Sequence, residues 1–156
     1  MNPILTTRSA KQIIGIQGTM HHHQYQNIVA LWQRFMPRKK EILTVVTKEH
    51  IAMQVYSDFN TLEKSFDIWA CVEVSSLDTI PKGMTGFIIP EGAYAVFSQK
   101  GMDASKTYQQ IMTQWLPNSG FEIDDRPHFQ VMGKLYKNGS ADSEEDFYVP
   151  IRLVTK

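Results

Sequence analysis

The chain has 156 residues, 42% of them apolar and 21% charged, which is the size and make-up of one ordinary globular domain. Lys plus Arg number 16 and Asp plus Glu 16, so no surplus field draws in a phosphate backbone or an anionic bilayer, and neither nucleic acid nor membrane is expected as a direct partner. One cysteine excludes an internal disulfide, and with no signal peptide or long apolar run in the sequence a cytoplasmic domain is expected.

In chain order, Ile13-Ile14-Gly15-Ile16 reads as an apolar strand. Residues 24–37 then carry Ile28, Leu31, Trp32 and Phe35 at helical spacing, and Pro37 closes the run. Two alternating stretches, 51–58 and 66–75, read as strands, and a loop with Pro81 and Gly83 follows. The pattern then recurs. Gly92–Phe97 is a strand, and residues 104–117 place Tyr108, Ile111, Met112 and Trp115 at helical spacing before Pro117. A loop over 117–128 leads to two more strands, 129–136 and 146–154. In both helices an Ile lies four residues before the Trp. The expectation is a single α+β domain of two β-α-β-β halves, about 1–77 and 86–156, with both helices on one face of antiparallel sheet.

Strand side chains alternate between faces, so each strand divides by parity. Phe66, Ile68, Ala70, Val72 and Val74 form one apolar set, and Ile51, Met53, Val55, Phe129, Val131, Phe147 and Val149 are assigned with them beneath the helices. The opposite set is Tyr56, Trp69, Glu73, Gln130, Met132, Tyr136 and Tyr148. Water alone does not call for so many rings, so this set is the candidate ligand-binding groove near the pseudo-twofold axis. Rings attract a cation, and a half-buried Glu73 without a basic neighbour would gain from one, so the expected guest is an amphipathic, cationic small molecule. Trp69 and Glu73, four residues apart, span about 13 Å of strand, the length of a drug-sized molecule.

Other chemistry is weaker in the sequence. His21-His22-His23 lacks a third or fourth ligand type nearby, so no metal is expected, and no cofactor motif occurs. Cys71 has no histidine partner, the serines show no nucleophile elbow, and Arg38-Lys39-Lys40 reads as a solvated helix end. No catalytic residue is assigned.

Leu31-Trp32-x-x-Phe35, Val55-Tyr56-Ser57-Asp58-Phe59, Glu73-Val74, Pro81-x-Gly83-Met84 and Ile89-Pro90-x-Gly92-x-Tyr94-Ala95-x-Phe97 resemble the GyrI-like, or AraC-type effector-binding, domains. So do Trp115-Leu116-Pro117-x-Ser119-Gly120-Phe121-Glu122, Arg126-Pro127-x-Phe129 and Glu145-x-Phe147-Tyr148-Val149-Pro150-Ile151, and together these cover nearly the whole chain. The resemblance implies a tandem strand-helix-strand-strand fold and sensing or sequestration of bulky cationic drugs, with a transcription regulator or another protein as a further partner. It also implies two alternatives, hydrolysis of strained electrophilic toxins and a topoisomerase-inhibitor-like protein contact. Gln130 stands where the resembling sequences commonly carry Glu, which argues against the hydrolase and leaves Glu73 as the acidic candidate. With both halves consumed by the duplicated fold, no helix-turn-helix is expected.

Overall fold

The structure, a computed structural model, describes residues 2–21, 24–56, 64–101, 104–133 and 143–154. Its elements are β1 (Ile4–Arg8), β2 (Lys11–Met20), α1 (Tyr25–Phe35), β3 (His50–Val55), β4 (Phe66–Glu73), β5 (Thr85–Ile89), β6 (Gly92–Lys100), α2 (Ala104–Gln110), β7 (Phe121–Ile123), β8 (His128–Met132) and β9 (Glu144–Leu153). The order β2-α1-β3-β4 is thus followed by β6-α2-β8-β9, an α+β architecture with both helices on one face.

The antiparallel sheet runs β1-β6-β9-β8-β3-β4-β2-β5, with β7 added on β9. β3 and β8 meet at its centre, where Ala52 is opposite Gln130. Three strands were not anticipated from the sequence: β1, β5 and the short β7 inside the expected 117–128 loop. Of these, β1 and β5 cross over. β1 precedes β2 but pairs with β6, and β5 precedes β6 but pairs with β2.

This exchange fixes the shape of the sheet. β1 and β2 lie six places apart in strand order, yet only Ser9 and Ala10 join them; β5 and β6 are also six places apart, joined by Pro90 and Glu91. Six strand spacings on a flat sheet would be about 29 Å. Three Cα–Cα steps reach at most about 11 Å. The sheet therefore curls until its two ends approach, and it acquires an inner face turned away from the helices and an outer face beneath them.

The outer face packs in two clusters. Under α1, Leu31 and Phe35 meet Ile14, Ile16, Phe66, Ile68, Ala70 and Val72, and Trp32 packs edge-on to Phe35 at 5.8 Å. Under α2, Ile111 meets Ala95, Phe97, Phe147, Val149 and Ile151, with Trp115 edge-on to Phe97 at 5.2 Å. Neither helix stops at its proline. Pro37 lies in the first turn of a 3-10 segment, Met36–Glu41, where a missing N–H costs nothing. The second helix widens into a π-type turn over Ile111–Trp115, where the Thr113 hydroxyl donates to the Gln109 carbonyl at 2.7 Å and competes with the helical ladder.

Gly15 is demanded by the curl. A Cβ there would sit 2.1 Å from the Ala70 carbonyl oxygen and 2.5 Å from the Cys71 Cβ, so β2 and β4 could not close together with any side chain present. At Gly18 the nearest atom to such a Cβ is 3.5 Å away, an ordinary contact. Gly15→Ala is therefore expected to lower stability by about 3 kcal/mol and Gly18→Ala by less than about 1 kcal/mol, read from urea denaturation midpoints. Equal midpoints for the two variants would show that the curl does not rest on Gly15.

Candidate functional site: the inner face of the curled sheet

The inner face is walled by Ile13 of β2, Ile51 and Met53 of β3, Trp69 and Cys71 of β4, Ile89 of β5, Tyr94 of β6 and Phe129 of β8. Phe87, Val96, Val131, Val55 and Tyr148 are only partly buried and form its accessible margin. Rings dominate. Phe129 and Tyr148 stack at 4.6 Å with an interplanar angle of 11°, Tyr94 meets both edge-on at 5.4 and 5.8 Å, and Trp69 lies 5.7 Å from Phe87. Such offset and edge-on pairs are the favoured ring geometries.

Charge enters this margin from the β1–β2 connection. The Lys11 ammonium sits 5.3 Å from the Phe129 ring centre and 3.8 Å from a Glu73 carboxylate oxygen. The Arg8 guanidinium lies 5.8 Å from the Tyr148 ring centre and donates to the Tyr148 hydroxyl at 3.4 Å. A third cation, Arg126, covers Tyr94 at 4.6 Å and is held by Asp124 at 2.8 Å and by the Ala93 and Ile151 carbonyls. Gly92 leaves room for it, since a Cβ there would be 2.3 Å from the guanidinium.

Of the residues assigned to one groove, the structure gathers three on the inner face: Trp69, Glu73 and Tyr148. Tyr56, Gln130 and Met132 are corrections. They lie on the outer face, because β3 and β8 turn Ile51, Met53, Phe129 and Val131 inward. Tyr136 falls outside the described residues. A second correction concerns openness and charge. Trp69 is only 5% exposed, so its ring is a wall of a packed interior and not the floor of an open groove. Glu73 does have a basic neighbour, Lys11; their side chains are 32% and 23% exposed, so the pair is wet enough to exchange partners.

On the outer midline Gln54 and Gln130 exchange two amide hydrogen bonds, 2.8 and 2.9 Å, which satisfies the buried Gln130 and the half-buried Gln54 reciprocally. Beside them the Tyr56 ring lies 5.0 Å from His128, and His128 Nδ1 is 3.1 Å from the Tyr108 hydroxyl. Burial pushes the Tyr56 phenol up, drives the Tyr108 phenol well above its ordinary value, and lowers His128 to about 3. Burial likewise raises the Cys71 thiol, which donates to the Ile51 carbonyl at 3.3 Å. None of these groups is poised to ionise near neutrality, as a nucleophile or general base must be. Among the described residues no group of three or more metal-ligating side chains occurs, and no helix is long and apolar enough to cross a membrane. His22 and His23 lie outside the described residues.

Residues 5–151 match the family described as "Cass2: Integron-associated effector binding protein". The chain belongs to this effector-binding family. It is 29% identical over 128 residues to the transcriptional regulator BrlR of Pseudomonas aeruginosa, which covers 78% of this chain and 45% of the regulator. The chain therefore spans about half the length of that relative. Among solved structures, the EcmrR C-terminal domain superposes with a TM-score of 0.75 at 17% identity, covering 98% of both chains. SAV2435, solved bound to tetraphenylphosphonium, superposes at 0.74 with 14% identity, covering 97% of this chain and 94% of that one. The fold is thus that of GyrI-like domains, and the effector-binding domain is related to the ligand-binding domains of transcription regulators.

The buried His128 makes a pH prediction. Its folded pKa is depressed relative to about 6.5, so the unfolded chain takes up a proton first as pH falls, and the stability that neutral His128 contributes is lost below about pH 6.5. Glu145, raised by burial to about 7, acts in the opposite sense but equally in wild type and variant. The stability difference between wild type and His128→Gln should therefore shrink by about 1 kcal/mol per pH unit between pH 6.5 and 5, measured by urea denaturation. A difference independent of pH would place a charged or solvated His128 in the folded state.

Proposed function

We propose that the domain binds amphipathic, cationic small molecules at the margin of its inner face, as a drug or effector sensor or sequestering module, and does no chemistry on them. The observation that carries this reading is the Phe129–Tyr148 stack with a cation already on each of its rings and a carboxylate beside it. A face that holds ammonium and guanidinium groups on its own rings supplies the interactions that an aromatic cation needs. The wall behind the stack is apolar and closely packed, so the flat part of a guest would lie on Tyr148 and Phe87, with its charge toward Glu73.

Support comes also from the neighbours. SAV2435 is similar in fold across nearly the whole of this chain and was solved with a bulky lipophilic cation. A transcription regulator is a further proposed partner, through fusion or contact, since the relatives include whole regulators. The hydrolase alternative lacks support: position 130 is a neutral amide committed to Gln54, and the buried thiol and phenols are pushed away from ionisation. A cytoplasmic setting is proposed with the same reading, in keeping with a single, unbridged cysteine.

The test uses tetraphenylphosphonium and isothermal titration calorimetry at low salt. Tyr148→Ala should weaken binding three- to thirty-fold, the range of one cation–ring contact, and Glu73→Gln should weaken it about tenfold. In a Trp32→Phe, Trp115→Phe background, the cation should also quench Trp69 emission. Unaltered affinity in both site variants would remove the inner face from the account.

A further inference from the structure

The outward side of α2 and of the turns that follow it is built from amides. Between Ala104 and Asn118 only Lys106 is charged, while Gln109, Gln110, Gln114 and Asn118 stand where a solvated helix ordinarily carries Lys and Glu. Two clefts flank this side. The first, of about 430 Å³, lies between α2 and the β1 edge of the sheet and is lined by Asn2, Phe97, Gln99, Thr107, Gln110 and Gln114. The second, of about 330 Å³, shares Gln114 and adds Trp115 and Asn118. Both have the size of a small-molecule site. In the sheet, β1 and β6 lie beyond β9 from β8 and β3, so the first cleft is on the far side of α2 from the Gln54–Gln130 seam.

The first cleft is organised from below. Gln99 is 3% exposed; its Oε1 accepts a hydrogen bond from the Thr107 hydroxyl and its Nε2 donates to the Gly101 carbonyl at 3.4 Å, so its amide is fixed. Thr107, Gln110 and Gln114 follow one helix face at i, i+3 and i+7. In a regular helix Gln114 would be turned about 40° past Gln110. The π-type turn over Ile111–Trp115 takes more residues per turn and brings the two amides closer to one column. Among the described residues, the side-chain amides of Asn2, Gln110 and Gln114 have no hydrogen-bond partner.

We propose that these paired clefts are a second binding site, for a neutral polyhydroxylated molecule such as a sugar or sugar alcohol, separate from the site at the inner margin. Charge decides the class. Among the described residues no carboxylate lines either cleft to hold a cation, and Lys100, exposed at the first, is the one charged side chain there. An anion would meet that single solvated ammonium and several amide oxygens. A hydroxyl both donates and accepts, and a primary amide offers a donor and an acceptor side by side, so neighbouring hydroxyls pair with Gln110 and Gln114 with no group left over. An apolar guest would strand the same amides. Half-buried Trp115 in the second cleft adds an apolar ring for the C–H side of a sugar.

The experiment follows the side-chain amide signals of Gln110 and Gln114 by nitrogen-15 NMR while glucose, N-acetylglucosamine, myo-inositol or inorganic phosphate is added. At least one of the three polyols should shift both signals saturably and leave those of Gln54 and Gln130 in place, and phosphate should shift neither. Gln114→Leu should weaken that polyol about three- to tenfold, the range of one neutral hydrogen bond. Gln114→Glu, which keeps the shape and solubility of the side chain, should weaken it too, and Gln110→Leu/Gln114→Leu should abolish the shift. Tetraphenylphosphonium binding should stay within twofold of wild type in every variant. No saturable shift with any polyol, a shift with phosphate alone, or a polyol affinity unchanged in Gln114→Leu and Gln114→Glu would overturn the proposal. Loss of phosphonium binding in these variants would also overturn it, since the clefts would then belong to the cation site.

Discussion

Everything about this domain follows from two connections of two residues each. Ser9-Ala10 and Pro90-Glu91 join strands that sheet order separates by six places, and only a strongly curled sheet satisfies both. The curl converts one antiparallel sheet into a container with an inside and an outside. Gly15 permits the closest approach of strands, and the crossed positions of β1 and β5 close the ends. The helices then have one task, to cover the outside. The inside is filled by aliphatic side chains together with Trp69, Tyr94 and Phe129.

The same curl brings charge to rings. Because β1 runs on to β2 across the gap between the sheet's ends, Arg8 and Lys11 are delivered to the margin where Phe129 and Tyr148 stack. Glu73 ends β4 at the same margin. Margin chemistry and strand topology are therefore one feature: the segment that closes the sheet also sets cations on its rings.

Much of the architecture was legible in the residues. Helical spacing around Trp32 and Trp115 placed both helices, apolar runs and alternation placed all six repeat strands, and the family resemblance agrees with the family match. β1 and β5 were missed because each is a five-residue edge strand, and local pattern carries no record of a strand pairing with the other half. The site was half legible. In β4 and β9 the parity assigned to the groove is the inward one, which brings Trp69, Glu73 and Tyr148 to one face. In β3 and β8 both parities carry apolar side chains, so parity could not say which face was which. The purely apolar set was assigned to the helices, whereas the curled inside is the drier environment and takes Met53 and Phe129, leaving Gln54, Gln130 and Tyr56 to the seam between the helices. Lys11 and Arg8 gave no signal at all, since their meaning lies in contacts across the closed sheet.

The most direct test of this account is a crystal structure of the domain soaked with tetraphenylphosphonium. It should show the phosphonium against Tyr148 with Glu73 as the nearest carboxylate. A guest lodged on the outer seam at Gln54 and Gln130 would contradict it.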